Sequence, residues 1–514
     1  MFQPLSAQTK SSVLHKGVLH IGTAGDVTSL DPHFHNFGPN ISVNSHIFDR
    51  LTYYDKGQLQ PGLAIQWTSQ NEHQWLFTLR EKVRFHDGKT FTAKDVVFSF
   101  HRVRNVKKSP SSFVPYIRNI KDIRAVGDYQ IEIETYEPDP LLPKLLSMIA
   151  IVSETEQEEA TNSELKIVGT GPYQLALWKK NQHIKLKANP NYWGGPPQWA
   201  EITITPIPNE TARVAALMSG DVDIIDHVPT QMVSLLSKND HYTYQQYSSG
   251  RLIYLQMDQE RDNSPFIRDS LGIAMDHNPF KDVRVRQAVS KAINRDELVN
   301  IIMDQMAIPA GQLVPEGFAG YLKNLGPQAY DPEGAKALLS SAGYAKGFQL
   351  TLHAPHDRYV NDEKIAFAIA AMLSKVGIYT HVETLPKTLY FKQASDLKFS
   401  FMLLGWASGT RDAFSPLKSF VHSHDRVKGY GFTNRGRYHN KHVDQWIEQA
   451  ATTFDEDQRV ALMQRATLQA IASDYALLPL HFQVNGWAYK NNLHYIPRYM
   501  SHVWSESVVP KPVN

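Results

Sequence analysis

Histidine is the side chain here with the widest choice of chemistry near neutral pH, and the 514 residues contain 22 of them and no cysteine. The missing thiols remove disulfides, thiolate metal sites, cysteine nucleophiles and iron–sulfur ligation together. Two histidine pairs, His33/His35 and His422/His424, are spaced i, i+2, which on a strand puts both imidazoles on one side, as a metal would need. Chance also produces such pairs among 22 histidines, so the spacing alone leaves both readings open. No Walker A loop, no GxGxxG after a strand, no HExxH and no GxSxG occurs, so the nucleotide, zincin and hydrolase readings lack their signatures. An enzyme would need a nucleophile or metal constellation that the sequence does not supply, and no cofactor is expected. Asn209-Glu210-Thr211 is a formal glycosylation sequon, which carries meaning only in a eukaryotic secretory context.

The elements that must position any site alternate between strands and helices. Gly17 to Gly25 reads as a strand running into the Leu30-Asp31-Pro32 turn. Further strands are predicted at 75–79, 131–135, 183–187, 202–207, 252–256, 348–353, 399–404 and 483–489. Thr92 with Asp95 has capping-box spacing ahead of Val96, Val97 and Phe100. Asp282 precedes an apolar stripe at Val285, Ala288, Val289 and Ala292, and Asn294 with Glu297 starts a second helix in tandem. Asp331-Pro332-Glu333 opens a helix that stops at Gly343, and Ile365, Ala368, Ile369 and Met372 form the next stripe, closed by Gly377. This alternation after residue 275 predicts an α/β domain. The 29 Pro and 29 Gly are spread along the chain, so no linker separates two sequential domains.

The balance of 53 Lys+Arg against 51 Asp+Glu gives a formal charge of +2, which supplies no basic footprint for nucleic acid or an anionic membrane. The longest nearly apolar run, Leu145 to Val152, is too short to span a bilayer, so a soluble chain is expected. With 42% hydrophobic residues, the length suits two or three domains. Absence of cysteine suits export to an oxidising compartment. Leu5-Ser6-Ala7-Gln8 would pass for the tail of a cleaved signal peptide whose apolar region is missing here, and no N-terminal Cys offers a lipid anchor.

Leu30-Asp31-Pro32-His33, then Phe85-His86-Asp87-Gly88-Lys89 and Thr92-Ala93-Lys94-Asp95-Val96-Val97, resemble the peptide/nickel class (family 5) of bacterial ABC-transporter solute-binding proteins. Gly169-Thr170-Gly171-Pro172-Tyr173, Asn189-Pro190-Asn191-Tyr192-Trp193, Ser219-Gly220-Asp221-Val222-Asp223, Val283-Arg284-Val285-Arg286-Gln287-Ala288, Tyr330-Asp331-Pro332 and Leu478-Pro479-Leu480 follow in the family's order. The resemblance covers roughly residues 18–505. It implies an α/β, two-lobed periplasmic binding protein (type II, cluster C-like) with an extra inserted domain. The expected parts are domain I at 18–52, 183–271 and 483–514, an inserted domain II at 53–182, and domain III at 272–482. It further implies a monomeric periplasmic receptor whose lobes close on a ligand in the cleft between them and deliver it to an inner-membrane ABC permease.

Two loops match positions that line the family's cleft. One holds Asn36, Phe37, Gly38 and Asn40; the other begins at Gly405-Trp406. In many peptide binders an Asp three residues after this Trp pairs with the ligand amine, and Gly409 stands there instead; Asp412 could substitute only in a remodelled loop. Arg411 could pair with Asp412 or face an anionic ligand. Arg358 resembles the arginine that holds a ligand carboxylate in dipeptide binders, a task that suits the planar guanidinium fork. Trp406 would wall the cleft. The alternative ligands are a nickel chelate, for which His424 is the candidate metal residue eighteen positions after Trp406, and haem. The nickel branch's aromatic is replaced by Thr410, and its arginine is missing from 146–152.

Overall fold

The computed structural model describes residues 15–55, 58–154, 167–497 and 502–512, so the segment Leu5 to Gln8 lies outside the described residues. The protein is mixed α/β, as expected, and divides into two compact units, 1–247 with 486–514 and 248–485.

In the first unit, the strand His15–Thr23 pairs in parallel with Trp199–Pro206 on one side and with Ile224–Ile225 on the other. Antiparallel strands His183–Ala188 and Tyr173–Lys179 extend the first side. The end of the last long strand closes the second side through Ile224↔Tyr489. A separate four-stranded antiparallel sheet is ordered Ala64–Asn71, Gln74–Leu79, Gln130–Thr135, Ile120–Ala125. The helix Ala93–Asn105 packs on it, and the Thr92/Asp95 capping box forms as the sequence predicts. Phe77, Phe91, Phe100, Ile131 and Ile133 fill this second core.

The second unit holds the predicted strand–helix alternation. Phe348–Pro355 and Ile378–Leu385 run parallel and are joined through the helix Asp362–Ser374, as a parallel pair requires a crossover. Phe401–Ala407 lies on the other side of Phe348–Pro355, also in parallel (His353↔Met402), and pairs antiparallel with Tyr242–Met257. Ile253, Leu255, Met257, Phe401 and Leu403 point to one face, where the helices Val283–Ala292, Pro332–Ser341 and Asp362–Ser374 cover them. The caps form as the sequence predicts: Asp282 accepts from Arg284 N, Asn294 from Glu297 N, and Asp331 from Gly334 N.

Two strands are much longer than their apolar centres suggest. The stretch read as 252–256 is part of Tyr242–Met257, and that read as 483–489 is part of Leu477–Lys490. Residues 242–251 are largely polar and 477–482 form a largely apolar run interrupted by Pro479, so period-two alternation marks neither extension. The strand expected at 399–404 runs from Phe401 to Ala407, which makes Gly405-Trp406 a strand end rather than the start of a loop.

Several buried charged residues in or beside the sequence motifs turn out to be fasteners. Buried Arg213 donates to the carbonyls of Ile207, Asp226 and His227. Arg286 donates to Phe280 and Asp474 carbonyls. Arg295, fully buried, donates at 2.7 Å to the carbonyl of Pro479 and so ties the Leu-Pro-Leu motif to its helix. A guanidinium can satisfy several carbonyls that would otherwise be buried without donors. Asp49 gathers two other motifs: its Oδ2 accepts from Trp193 Nε1 at 2.7 Å and Thr170 Oγ1 at 2.9 Å, and its Oδ1 from the Tyr192 hydroxyl. Gly169 and Gly171 are needed because a Cβ at either would sit 1.9 and 2.7 Å from the Ile47 carbonyl oxygen.

Candidate functional site

The strands Phe348–Pro355 and Phe401–Ala407 are parallel neighbours, so the loops leaving their carboxyl ends emerge on the same side of the sheet. One carries Arg358 and the other Arg411 and Asp412. In open α/β sheets this is the side on which ligands bind, because loops there are free of the strand ladder.

The Arg358 loop is set by the helix that follows it. Asp362, in the first turn, accepts the backbone N–H groups of Arg358 and Tyr359, each at 2.9 Å. Burial pushes the Asp362 carboxyl up, and those amide bonds work in the opposite direction. The Arg358 side chain is exposed, with its guanidinium carbon 5.4 Å from the centre of the Tyr359 ring. Among the described residues no carboxylate pairs with it. Tyr359 is buried, and burial raises its phenol pKa. Its hydroxyl accepts from Gly405 N at 2.8 Å and donates to Gly405 O at 3.3 Å, which fastens the loop to the end of the adjoining strand.

Strand alternation separates Trp406 from this group. Gly405 lies opposite Ile253, on the core face where Tyr359 packs, whereas Trp406 lies opposite Leu252 and turns to the other face. There its ring meets Phe420 edge-on at 5.6 Å and Phe432 at 6.3 Å, and its Nε1 donates to Ser415 Oγ. Phe432 is 61% exposed and adds an apolar surface that the sequence did not single out. Arg358 and Trp406 thus flank the strand end from opposite faces.

The loop after Trp406 is tightly built. Asp412 is fully buried, accepts from Thr410 Oγ1 at 2.8 Å, and lies 3.5 Å from Arg459, which is itself buried and paired with Glu456. Arg411 takes a left-handed φ of 53°, its guanidinium lies 5.0 Å from the Phe318 ring centre, and its carbonyl accepts from Ala319 N. Gly409 is exposed, outside the left-handed region, and a Cβ there would meet nothing within 4 Å.

In the first unit, Asn36 donates from its side chain to the Tyr116 hydroxyl at 3.3 Å and from its backbone to Ser111 O. Phe37 is exposed, stacked on His35 at 5.1 Å, and forms the N-cap of the helix that starts at Gly38. Asn40 is buried and exchanges hydrogen bonds with Thr28. Asp31 anchors the start of this segment through a two-pronged pair with Arg102, 2.9 and 2.7 Å. Burial pushes its carboxyl up, but the Arg102 guanidinium outweighs that and holds it below the usual range.

Neither histidine pair lies on a named strand. His33 sits in a turn, buried, with Nε2 2.8 Å from Ala150 O, while His35 Nδ1 faces Thr28. His422 is buried beside Glu448 and Tyr430, and His424 is exposed with Nδ1 3.1 Å from Gly431 O. Among the described residues no group of three or more His, Cys, Asp or Glu converges as a metal site, and no helix is long and apolar enough to cross a membrane.

The chain is 26% identical over 503 residues to the dipeptide-binding protein of Escherichia coli K12, covering 92% of this chain and 90% of that one. Among solved structures, it is similar to the periplasmic binding protein DppA of Helicobacter pylori in complex with the peptide STSA, at TM-score 0.78, 25% identity and coverage of 97% and 98%. HbpA2 of Haemophilus parasuis shares the fold at TM-score 0.83 and 21% identity, over 96% of this chain and all of that one. The model of the bacterial extracellular solute-binding proteins, family 5 (middle), matches residues 58–427. With more than half its length under that model and the same fold around its two strand-end loops, the chain belongs to the family 5 bacterial solute-binding proteins.

Proposed function

We propose that this protein is a periplasmic receptor that captures a peptide or peptide-like small molecule and hands it to an ABC importer, performing no chemistry on it. The observation that carries the ligand reading is Arg358, an exposed guanidinium with no carboxylate partner among the described residues, on a loop whose backbone Asp362 fixes after the carboxyl end of a parallel strand. Such a cation, oriented by its own backbone and by Tyr359, fits a carboxylate through two parallel charge-assisted bonds. Trp406 and Phe432 add apolar surface at the same strand end, suited to a ligand side chain. Asp412 is committed to Arg459 and Thr410 and in this reading shapes the loop. Asn36, Phe37 and Gly38 are the residues of the first loop that the fold leaves reachable, while the buried Asn40 is held by Thr28 behind them. The relatives named as binding dipeptides and the STSA peptide support the same ligand class.

Native mass spectrometry of protein purified without refolding tests the proposal. A co-purified mass that fragments as a peptide supports it; a metal-chelate or haem mass, or no adduct from any extract, overturns it.

A further inference from the structure

One cation of the first unit has no task in the receptor reading. Arg50 follows the helix that starts at Gly38 and forms an isolated antiparallel bridge with Ala150, so the chain is extended there and successive side chains project to opposite sides. Its neighbour Asp49 is already committed to Trp193, Thr170 and Tyr192. The Arg50 backbone is satisfied too, since its carbonyl accepts from Leu63 N at 2.9 Å. Its guanidinium is not. Among the described residues it makes no hydrogen bond and has no carboxylate within ion-pairing distance, and Nε is fully enclosed while the residue as a whole is half-buried. The opening that remains is therefore at the two outer nitrogens. Burial lowers the Arg50 pKa to about 10, with Asp49 and the Tyr116 phenol acting in the opposite direction.

The structural arginines of this chain behave differently. Arg213, Arg286 and Arg295 each use all three guanidinium nitrogens on protein acceptors, whereas Arg50 uses none. A partly desolvated cation without a partner costs stability, so its place here calls for an anion from outside the chain. A second donor stands beside it. Tyr116, on the short helix Val114–Ile117, accepts from Asn36 Nδ2 at 3.3 Å, and its own hydroxyl proton has no acceptor among the described residues. Asn36 N donates to Ser111 O at 2.8 Å, which ties the first loop to the segment that carries Tyr116. We propose that Arg50 and the Tyr116 hydroxyl form a carboxylate-binding subsite of the first unit, so that the protein favours peptide-like ligands bearing an acidic side chain. A carboxylate fits because it matches the single positive charge and the planar fork at once, with a lone pair left for the phenol. The inference rests on the peptide reading above and adds a second recognised acid group, since Arg358 lies in the other unit.

The test uses the full chain and two defined pools of free tripeptides built from Ala, Ser and Leu, one with Glu and one with Gln at the middle position. Affinity for each pool is measured for the unaltered protein and for Arg50→Met, alongside the melting temperature of each without peptide. The subsite predicts that the unaltered protein binds the Glu pool at least tenfold more tightly than the Gln pool. Arg50→Met, which keeps the length and removes the charge, should melt at the same or a higher temperature and prefer the Glu pool less than threefold. A preference that survives in the variant, or one absent from the unaltered protein, overturns the subsite and leaves the peptide reading standing. If the unaltered protein binds neither pool, the peptide reading fails and glutarate decides the subsite: a melting temperature raised in the unaltered protein and not in Arg50→Met keeps it as a site for a free acid, and equal responses overturn it. Should the variant melt lower or not fold, the Nε–H resonance of Arg50 in the unaltered, isotope-labelled protein decides. It shifts with the Glu pool and not with the Gln pool if the subsite exists; no shift, or the same shift with both, overturns the inference.

Discussion

The hydroxyl of Tyr359 accepts the Gly405 amide at 2.8 Å, so the loop that carries Arg358 and the strand end that carries Trp406 share one fastening. Replacing Tyr359 with Phe leaves the ring and removes the bond, stranding an N–H in a largely buried place. The expected cost is about 1–2 kcal/mol of unfolding free energy, with a looser grip on the ligand because the arginine loses its support. Urea unfolding checks the first and calorimetry with the co-purified ligand the second; unchanged stability would mean that the bond is not formed in solution.

Arg358→Ala should weaken binding of a ligand carboxylate by about 2–5 kcal/mol if the contact is desolvated, whereas an arginine at a solvated rim would cost well under 1. Arg411→Ala should change affinity less than threefold, since its guanidinium already lies against Phe318. Titrating both at two salt concentrations separates contact from long-range attraction. If the two variants bind alike, the arginine assignment fails.

Gly409 and Asp412 make opposite predictions on one short loop. A side chain at 409 enters open space, so Gly409→Asp should leave stability within about 0.5 kcal/mol. It should raise affinity for ligands with a free amine by offering a carboxylate where many peptide binders have one. Asp412→Ala removes a buried partner of Arg459, and should cost about 3 kcal/mol, the low end for such pairs because Glu456 remains. Thermal melts of the two variants with and without ligand distinguish these roles.

Acid should destabilise the protein in a defined window. Unfolded, His481 takes up a proton near its ordinary value of about 6.5; folded, burial holds it off until about pH 4. Below 6.5 the unfolded state therefore binds more protons, so stability is full above that value and falls as the pH drops towards 4. His33, lowered to about 4 by burial and by the nearby Arg102, acts with the same sign. Between pH 7 and 5 the His481 part amounts to about 2 kcal/mol, and His481→Phe should remove that share of the slope. Denaturant titrations of both proteins at the two pH values check it.

The sequence was legible where a local rule decides the outcome. Thr92, Asp282, Asn294 and Asp331 announce their helices because a short side chain beside free N–H groups has one good use. Arg358 and Trp406 were within reach through resemblance, and their separation onto opposite sides of a strand was not, since it depends on a register with Leu252 and Ile253 set more than 150 residues away. The same limit hid Tyr359, whose role needs Gly405, and Asp49, whose partners come from two distant motifs. Arg50 is one of 53 basic residues in the sequence, and only enclosure without a partner sets it apart.

The path of the chain also imposes an order of assembly. Residues 248–485 form one uninterrupted stretch, so that unit is complete as soon as the stretch has been made. The first unit must wait, because Ile224 and Ile225 have no outer neighbour until Ala488 and Tyr489 arrive. Until then its central sheet keeps an open apolar edge of the kind that invites wrong pairing. The strand Leu477–Lys490 is thus a closing clasp, and the nascent protein is most vulnerable to aggregation just before Ala488 and Tyr489 emerge.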